Sequence, residues 1–315
     1  MVGGKLMEKV SVKGLEFSRL SLGTVQLGLN YGINNADGKP DRELAHKILD
    51  SAINNGINIL DTAGGYGDSE NVIGDWLKTV PNEKRPLIVT KAASLDHSSH
   101  KALREDLMAK AEESRRRLGV DCLDVLMLHH FEDYLEDKEC VMDTLNELKA
   151  SGVIRYTGAS AYSYHDYNVL ANAGFDATQI PVNIFDWAQI SNGGIEKLAS
   201  AGMMVFVRSV YLQGLVFQTP QTLSPKMDYC IEPLKNFHSL CEKYNLTPAE
   251  MAMSFVMSLK GIHSLVLGSE KVEQVEENVK LFQNTIRFND EQMEEIRLIF
   301  ENVDPRVTNP SMWNK

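Results

Sequence analysis

The feature of this chain that most restricts its fold is a regular alternation of short apolar segments and longer amphipathic segments. The short segments are rich in β-branched residues, which is typical of strands buried on both faces of a parallel sheet. We predict strands at residues 20–23, 57–61, 87–91, 123–128, 154–158, 177–182, 204–208 and 263–267. Between them, apolar residues recur at i, i+3 and i+4, which predicts helices at residues 42–55, 101–118, 141–150 and 271–282.

Eight strands that alternate with helices predict a (β/α)8 TIM barrel formed by residues 1–315 as a single domain. A doubly wound open sheet is the alternative, but it needs a phosphate-binding glycine loop after its first strand. Neither G-x-G-x-x-G nor G-x-x-x-x-G-K-[ST] occurs in the chain, which favours the barrel. Residues 10–18 have the turn chemistry of an N-terminal β-hairpin plug, and residues 1–6 are predicted to be an unstructured leader.

Charge and cysteine usage argue against several classes of function. The formal net charge is −11, so the chain lacks the basic surface that binds nucleic acid. The first residues carry no apolar h-region and no apolar run reaches about 18 residues, so we expect neither a signal peptide nor a membrane span. The four cysteines show no C-x-x-C spacing, which is typical of reduced thiols and predicts a cytoplasmic location. The basic run at residues 115–117 is interpreted as a solvated helix face.

Titratable side chains follow three consecutive predicted strands. Asp61 and Lys91 end the second and third strands, His129 follows the fourth, and Tyr66 lies in the loop after Asp61. Because the C-terminal ends of barrel strands share one rim, these four side chains should meet there. A lysine stabilises a nearby phenolate and an aspartate keeps that lysine charged, so such a tyrosine can exchange a proton near neutral pH. Each residue alone is more often structural; together they form a chemical unit.

Three further histidines are assigned structural roles. His130 directly follows His129, and neighbouring strand residues point to opposite faces, so we assign His130 to packing. His97 and His100 follow Asp96 in a polar loop, and we predict no metal site there.

The segment Asp61-Thr-Ala-Gly-Gly-Tyr-Gly-Asp-Ser-Glu70 resembles the D-T-A-x-x-Y-G-x-S-E signature of the aldo-keto reductase family. Weaker matches follow in family order at residues 20–24, 88–91, 124–129 and 158–160, so the resemblance covers nearly the whole chain. It implies an NAD(P)(H)-dependent oxidoreductase that interconverts an aldehyde or ketone with an alcohol by direct hydride transfer. Tyr66 would be the general acid/base, Asp61 and Lys91 would tune it, and His129 would orient the carbonyl, with no metal required.

The resemblance also implies a cofactor site on the loops after the seventh and eighth strands, where barrels frequently bind phosphate. Residues 268–278 are similar to the family's G-A-x-x-x-x-Q-x-x-x-N cofactor segment. Ser160 and Gln179 match residues that bind the nicotinamide carboxamide, and Arg208 matches the side chain that flanks the nicotinamide ring. The full set is Gly23, Thr24, Ser160, Gln179, Arg208, Ser209, Leu212, Gln213, Gly214, Gly268, Ser269, Glu270, Gln274, Glu277 and Asn278.

Two positions depart from the family pattern. Ala161 replaces the usual Asn after the carboxamide-binding serine, which removes one expected hydrogen bond. Glu270 stands where the family often has a polar or basic residue that recognises the phosphate of NADP(H). A carboxylate accepts a hydrogen bond from a ribose 2′-hydroxyl but repels a phosphate. The family leans towards NADPH, but Glu270 favours NADH.

Substrate choice belongs to the loops above the rim, at residues 28–40, 185–192 and 217–228 and in the tail after residue 302. Their Asn, Gln and aromatic side chains favour a sugar, polyol or similar polar carbonyl compound, with Tyr31 and Trp187 as candidate contacts. The alternative function is a redox-sensing, nicotinamide-binding partner subunit with slow turnover. The sequence leaves the substrate, the direction of reaction and the oligomeric state open.

Overall fold

Eight parallel strands close into a barrel in the computed structural model, which describes residues 6–31 and 38–313. The barrel strands are β3 (Leu20–Gly23), β4 (Ile59–Asp61), β5 (Leu87–Ala92), β6 (Leu123–Leu128), β7 (Ile154–Ser160), β8 (Ala177–Pro181), β9 (Met204–Arg208) and β10 (Ser264–Gly268). Each strand pairs with its neighbour in the chain, and β10 pairs with β3 to close the ring. The predicted (β/α)8 barrel is therefore confirmed.

Helices connect and cover the strands. They are α1 (Val25–Gly28), α2 (Arg42–Asn54), α3 (Ser69–Leu77), α4 (His100–Leu118), α5 (Phe131–Glu136), α6 (Lys138–Ala150), α7 (Tyr167–Ala171), α8 (Gly194–Ser200), α9 (Ile231–Tyr244), α10 (Pro248–Ser258), α11 (Val272–Gln283), α12 (Asp290–Phe300) and α13 (Pro305–Thr308). Short 3₁₀ helices occur at Asn82–Lys84, Leu212–Phe217, Pro225–Cys230 and Pro310–Met312. No helix in the described part of the chain has both the length and the apolar character needed to cross a membrane.

Helix starts follow local capping chemistry. Helix α2 begins after Asp41 and α4 after Ser99, and each of these side chains accepts a hydrogen bond from a backbone N–H of the first turn. Helix α6 begins at Lys138, three residues before the predicted start, because the Asp137 side chain caps it by accepting from the Cys140 N–H. The apolar periodicity that set the predicted boundary misses this polar first turn.

The N-terminal hairpin consists of β1 (Lys9–Val12) and β2 (Leu15–Ser18), which pair antiparallel as predicted. Phe17 is fully buried and packs with apolar residues inside the barrel, including Ile59 and Met204 at the starts of their strands. The hairpin therefore closes the N-terminal end of the barrel. The predicted leader at residues 1–6 lies outside the described residues, except for Leu6, which is almost fully exposed.

The side chains that point into the barrel are apolar at the start or in the middle of the strands and polar at their C-terminal ends. Val125 and Met127 on β6 belong to the apolar cluster inside the barrel, whereas Leu126 and Leu128 pack outward against the helices. Two positions further along their strands, inward residues give way to polar ones: Ile59 to Asp61, Val89 to Lys91, Ala177 to Gln179, and Phe206 to Arg208. The C-terminal end of the interior is therefore a polar layer, which forms the floor of the candidate site.

Candidate active site

The four predicted catalytic residues lie together at the C-terminal end of the barrel. Lys91 Nζ donates hydrogen bonds to Asp61 Oδ1 at 2.6 Å and to the Thr62 carbonyl oxygen at 2.9 Å. The same nitrogen lies 5.1 Å from the centroid of the Tyr66 ring. The rings of Tyr66 and His129 meet edge to face, with centroids 5.7 Å apart. The catalytic end of the barrel therefore brings together a phenol, an ammonium, a carboxylate and an imidazole as neighbours.

Lys91 and Asp61 form an ion pair that is almost wholly buried. Burial lowers the pKa of Lys91, but the charge of Asp61 and its hydrogen bond outweigh that effect and keep this pKa above its ordinary value. Asp61 Oδ1 also accepts a hydrogen bond of 2.7 Å from Gln179 Nε2. Lys91 is therefore held as a cation close to the Tyr66 ring.

His129 is a neutral imidazole at the wall of the site. Burial, followed by the charges of Lys91, His130 and Arg208, lowers the pKa of His129 to about 3. Its Nδ1 is buried without a hydrogen-bond partner among the described residues. The neutral ring can therefore offer one N–H donor without changing its charge. His130 stacks on His129 with centroids 5.2 Å apart and does not line the cavity, in line with the packing role predicted for it.

Buried hydroxyls hold the segment that carries Tyr66. Thr24 Oγ1 donates to the Asp61 carbonyl oxygen at 2.8 Å, and Ser69 Oγ lies 2.8 Å from Thr24 Oγ1. Thr62 Oγ1 in turn donates to Ser69 Oγ at 3.0 Å. The Thr24 hydroxyl, expected at the cofactor, therefore serves to tie β3 to the Tyr66 loop.

The run at residues 115–117 is not wholly the solvated face that we predicted. Arg117 Nη1 reaches inward and lies 3.4 Å from both the Glu70 Oε2 and the Gly64 carbonyl oxygen. Glu70 is buried, and its other oxygen accepts a 2.6 Å hydrogen bond from Thr90. A buried carboxylate is costly unless it is hydrogen-bonded or paired with a charge. Arg117 therefore points inward to Glu70 and does not belong to the solvated face.

Gly28 lets the end of α1 contact the loop that carries Tyr66. A Cβ at Gly28 would lie 1.7 Å from the Tyr66 carbonyl oxygen and 2.6 Å from the Ser69 nitrogen. Both are backbone atoms, so the Tyr66 segment would have to move. Gly28→Ala is therefore expected to lower the free energy of unfolding by about 1–3 kcal/mol and to reduce turnover.

Denaturant unfolding and steady-state kinetics test this expectation. Gly64→Ala is the matched control, because a Cβ there would meet only ordinary contacts, the nearest being the Lys91 carbonyl oxygen at 3.5 Å. If Gly28→Ala and Gly64→Ala behave alike, the close approach at Gly28 does not position Tyr66.

A cavity of about 630 Å³ opens beside these residues, within the size range of small-molecule sites. It is lined by Asp61, Tyr66 and His129 of the catalytic set and by Tyr31. It is also lined by every predicted cofactor residue except Ser269, namely Gly23, Thr24, Ser160, Gln179, Arg208, Ser209, Leu212, Gln213, Gly214, Gly268, Glu270, Gln274, Glu277 and Asn278. Lys91 lies behind the cavity wall, and Ser269 is buried with its hydroxyl 3.4 Å from Asn278 Nδ2.

Trp187 is not at the cavity. It is buried, its ring packs against Phe255 with centroids 5.3 Å apart, and its Nε1 donates to the Ile184 carbonyl oxygen. The expectation that Trp187 contacts a substrate is therefore dropped: its loop folds inward and its indole fills the core.

Sequence reasoning missed several residues that line the cavity, chiefly Gln26, Tyr162, Tyr211 and Phe217. Tyr162 lies two positions after Ser160, so strand alternation could have identified it. Tyr211 lies between the predicted Ser209 and Leu212, and Phe217 begins the predicted substrate loop at residues 217–228, so the sequence identified both segments but not these side chains. Gln26 follows the first predicted strand, and the sequence carries no comparable signal for it.

The cavity walls fit a dinucleotide. In the loop after β9, Ser209, Leu212 and Gln213 have positive φ angles of 65°, 46° and 52°, a backbone that forms anion-binding concavities. Helix α11 begins beside the cavity with no side-chain cap on its first turn, which leaves its N-terminus suited to a phosphate. Gln26 Oε1 and the Tyr211 hydroxyl are buried in the wall without hydrogen-bond partners among the described residues.

His97 and His100 pair with carboxylates of the α5–α6 region, at 2.8 Å from Asp133 and 3.0 Å from Asp137. Within residues 6–31 and 38–313, no group of three or more His, Cys, Asp or Glu side chains is arranged to hold a metal ion.

Comparisons with known proteins find relatives of similar sequence and similar fold. The family model described as the Aldo/keto reductase family matches residues 19–301. The NADH-specific methylglyoxal reductase of Escherichia coli (strain K12) is 29% identical over 296 residues, which cover 84% of this chain and 90% of that protein. The pyridoxal 4-dehydrogenase of Microbacterium luteolum is 25% identical, with 87% of this chain and 92% of that protein covered. The holo form of an aldo-keto reductase from Bacillus halodurans superposes with a TM-score of 0.72 at 21% identity, covering 96% of this chain and 100% of that one, which shows a shared fold.

Proposed function

This chain belongs to the aldo/keto reductase family of nicotinamide-dependent oxidoreductases, and we propose that it interconverts a small polar aldehyde or ketone with its alcohol through Tyr66. The observation that carries the proposal is the buried Lys91 ammonium, paired with Asp61 and 5.1 Å from the Tyr66 ring at the cavity wall. An ammonium in this position can stabilise the phenolate that forms when Tyr66 gives its proton to a substrate.

A bound nicotinamide would supply or accept the hydride. In carbonyl reduction, Tyr66 donates its hydroxyl proton to the carbonyl oxygen, and Lys91 stabilises the phenolate that remains. His129, which stays neutral, donates a hydrogen bond to the same oxygen as negative charge develops on it. In alcohol oxidation, the Tyr66 phenolate takes the proton back.

Two polar residues of the floor are proposed to orient the cofactor ring. Gln179 uses its Nε2 to hold Asp61, so its Oε1 is left to accept from the carboxamide. Ser160 lies beside it, since Ser160 and Gln179 are paired residues of β7 and β8. The loop after β9 and the N-terminus of α11 would then hold the phosphates.

The substrate is proposed to be a sugar, a polyol or a similar polar carbonyl compound. The cavity combines polar groups with Tyr31, which is 43% exposed at the mouth. Two relatives are named for methylglyoxal and pyridoxal, which are both small polar carbonyl compounds.

The test of this function follows the absorbance of NADH and NADPH with a panel of aldehydes, ketoses and alcohols that includes methylglyoxal and pyridoxal. Turnover of at least one polar carbonyl compound is expected. Tight dinucleotide binding without turnover across the panel would favour the slow redox-sensing subunit instead.

Glu270 is proposed to favour NADH. It lines the cavity, its backbone N–H donates to Gln274 Oε1 at 2.8 Å, and the Gln274 amide lies 3.4 Å from its carboxylate. If the adenosine ribose binds beside this carboxylate, its negative charge would repel a 2′-phosphate. The NADH-specific relative from Escherichia coli is consistent with that preference.

Glu270→Arg is expected to shift the ratio of kcat/KM values towards NADPH by about tenfold or more, because a cation replaces the repelling carboxylate. The ratio is measured with both cofactors at low ionic strength, where charges are least screened. Glu276→Arg is the matched control, since it changes the net charge equally on an exposed residue outside the cavity. A shift of equal size in both variants would show that Glu270 does not face the ribose.

A further inference from the structure

Arg208 places a positive charge at the catalytic end of the cavity, the end lined by Tyr66 and His129. Its guanidinium lies 4.6 Å from the centroid of the Tyr162 ring, and Nη2 donates to the Ala161 carbonyl oxygen at 3.4 Å. Within the described part of the chain, no carboxylate oxygen lies within 4.0 Å of its nitrogens. Arg208 is therefore held by a π face and a backbone carbonyl, and neither of these cancels its charge.

The other charges at this end are already balanced. Lys91 is neutralised by Asp61 at 2.6 Å, and His129 is uncharged because its pKa is about 3. The charge of Arg208 reaches these groups, since it contributes to lowering the pKa of His129 and opposes the rise in the pKa of Lys91. Arg208 therefore leaves the catalytic end with a net positive charge.

Two glutamates also line the cavity, but they lie on the segment after β10. Glu270 is bonded to Gln274, and Glu277 acts electrostatically on Tyr211. Neither forms an ion pair with Arg208.

We propose that the uncompensated charge of Arg208 makes this site bind reduced nicotinamide more tightly than oxidised nicotinamide, and so adapts the enzyme to carbonyl reduction. The inference rests on the proposed function and concerns the direction of that reaction. Reduction would consume NADH: hydride would go to the carbonyl carbon, the Tyr66 proton would go to the oxygen, and a cationic nicotinamide would be left in the field of Arg208.

The exact placement of the nicotinamide ring within this end of the cavity does not change the sign of the effect. Any ring that delivers hydride to a carbonyl carbon whose oxygen contacts Tyr66 lies at the same end of the cavity as Arg208. The phosphates, riboses and adenine are identical in both redox forms, so their contacts with Arg208 cancel when the two affinities are compared. Only the ring charge differs, and two like charges at the same end of a partly buried site change an affinity by about tenfold or more.

The consequence for the enzyme is kinetic, because no residue changes the equilibrium of the overall reaction in solution. Weak binding of the oxidised cofactor speeds its release after reduction and limits product inhibition. Arg208 therefore lines the cavity and also sets the relative affinities of the site for the reduced and the oxidised cofactor.

The test measures dissociation constants for NADH and NAD⁺ by calorimetry or protein fluorescence, with no substrate present. The unaltered protein is expected to bind NADH at least about tenfold more tightly than NAD⁺. Arg208→Gln should lower this preference by about tenfold, whereas Arg208→Lys, which keeps the charge, should retain most of it. Arg155→Gln is the matched control, because it removes the same charge from a half-exposed residue paired with Asp124, outside the cavity.

Three results would overturn the inference. The first is equal or tighter binding of NAD⁺ by the unaltered protein, a result that does not depend on any variant folding. The second is an equal loss of affinity for both redox forms in Arg208→Gln, which would mean that the side chain acts as a contact rather than as a charge. The third is failure of the unaltered protein to bind NADH, NAD⁺, NADPH or NADP⁺, and this result alone would also contradict the proposed function.

Discussion

Tyr66→Phe is expected to lower kcat by about 10²–10⁴-fold while it leaves dinucleotide binding nearly unchanged, because only the proton donor is lost. The ring remains and keeps its edge contact with His129 and its position 5.1 Å from Lys91 Nζ. The measurement pairs steady-state kinetics with dissociation constants for the cofactor. Tyr156→Phe is the matched control: it removes a phenol whose hydroxyl bonds to the Lys13 carbonyl oxygen at the hairpin end of the barrel.

Tyr66 and Lys91 should act on the same proton transfer, so the effects of their substitutions on kcat should be coupled. If Lys91 acts on the rate through the phenolate, combining Lys91→Met with Tyr66→Phe should cost far less than the product of the two single losses. A loss of kcat in the double variant equal to the product of the two single losses would show that Lys91 does not act through the Tyr66 phenolate. Near-normal kcat in Tyr66→Phe would refute the proposed mechanism.

Breaking the buried ion pair is expected to have the largest effect on stability. Lys91→Met leaves the Asp61 carboxylate buried with Gln179 as its remaining side-chain donor, and Asp61→Asn leaves the Lys91 ammonium buried without a counter-charge. Each change should lower the free energy of unfolding by about 3–5 kcal/mol, because an uncompensated charge is then buried. The double variant removes both charges and should recover part of the stability but none of the activity.

Denaturant unfolding at neutral pH, with turnover measured in parallel, checks these expectations. Lys47→Met breaks an exposed pair with Glu43 and is the control, which should unfold at nearly the same denaturant concentration as the parent. Additive losses in the double variant would contradict a direct charge pairing of Asp61 with Lys91.

The barrel and its rim could be predicted because both follow from short-range patterns. Alternation along a strand is a local property, so Ile59 and Asp61 must face the same way once β4 is buried. The parallel order of the strands then brings Asp61, Lys91 and His129 to one end of the barrel. Their meeting there needed no knowledge of the loops.

Contacts between distant segments could not be predicted in this way. Arg117 lies on α4 in a run of charges that resembles any solvated helix face, and only the fold brings Glu70 within 3.4 Å of it. Trp187 lies in a loop, and whether a loop indole faces a cavity or the core depends on the space that the finished barrel leaves. The same holds for Gln26 and Tyr211, which the fold brings to the cavity wall.

The most direct test of the central claim, that Tyr66 completes a direct hydride transfer to a carbonyl, uses NADH carrying deuterium at the transferred C4 position. Single-turnover reactions with methylglyoxal or another polar aldehyde from the panel are followed by mass spectrometry of the alcohol product. We expect one deuterium on the former carbonyl carbon, formed about 10²–10⁴-fold more slowly in Tyr66→Phe. An unlabelled alcohol, or equal rates of labelling in the parent and Tyr66→Phe, would contradict the account.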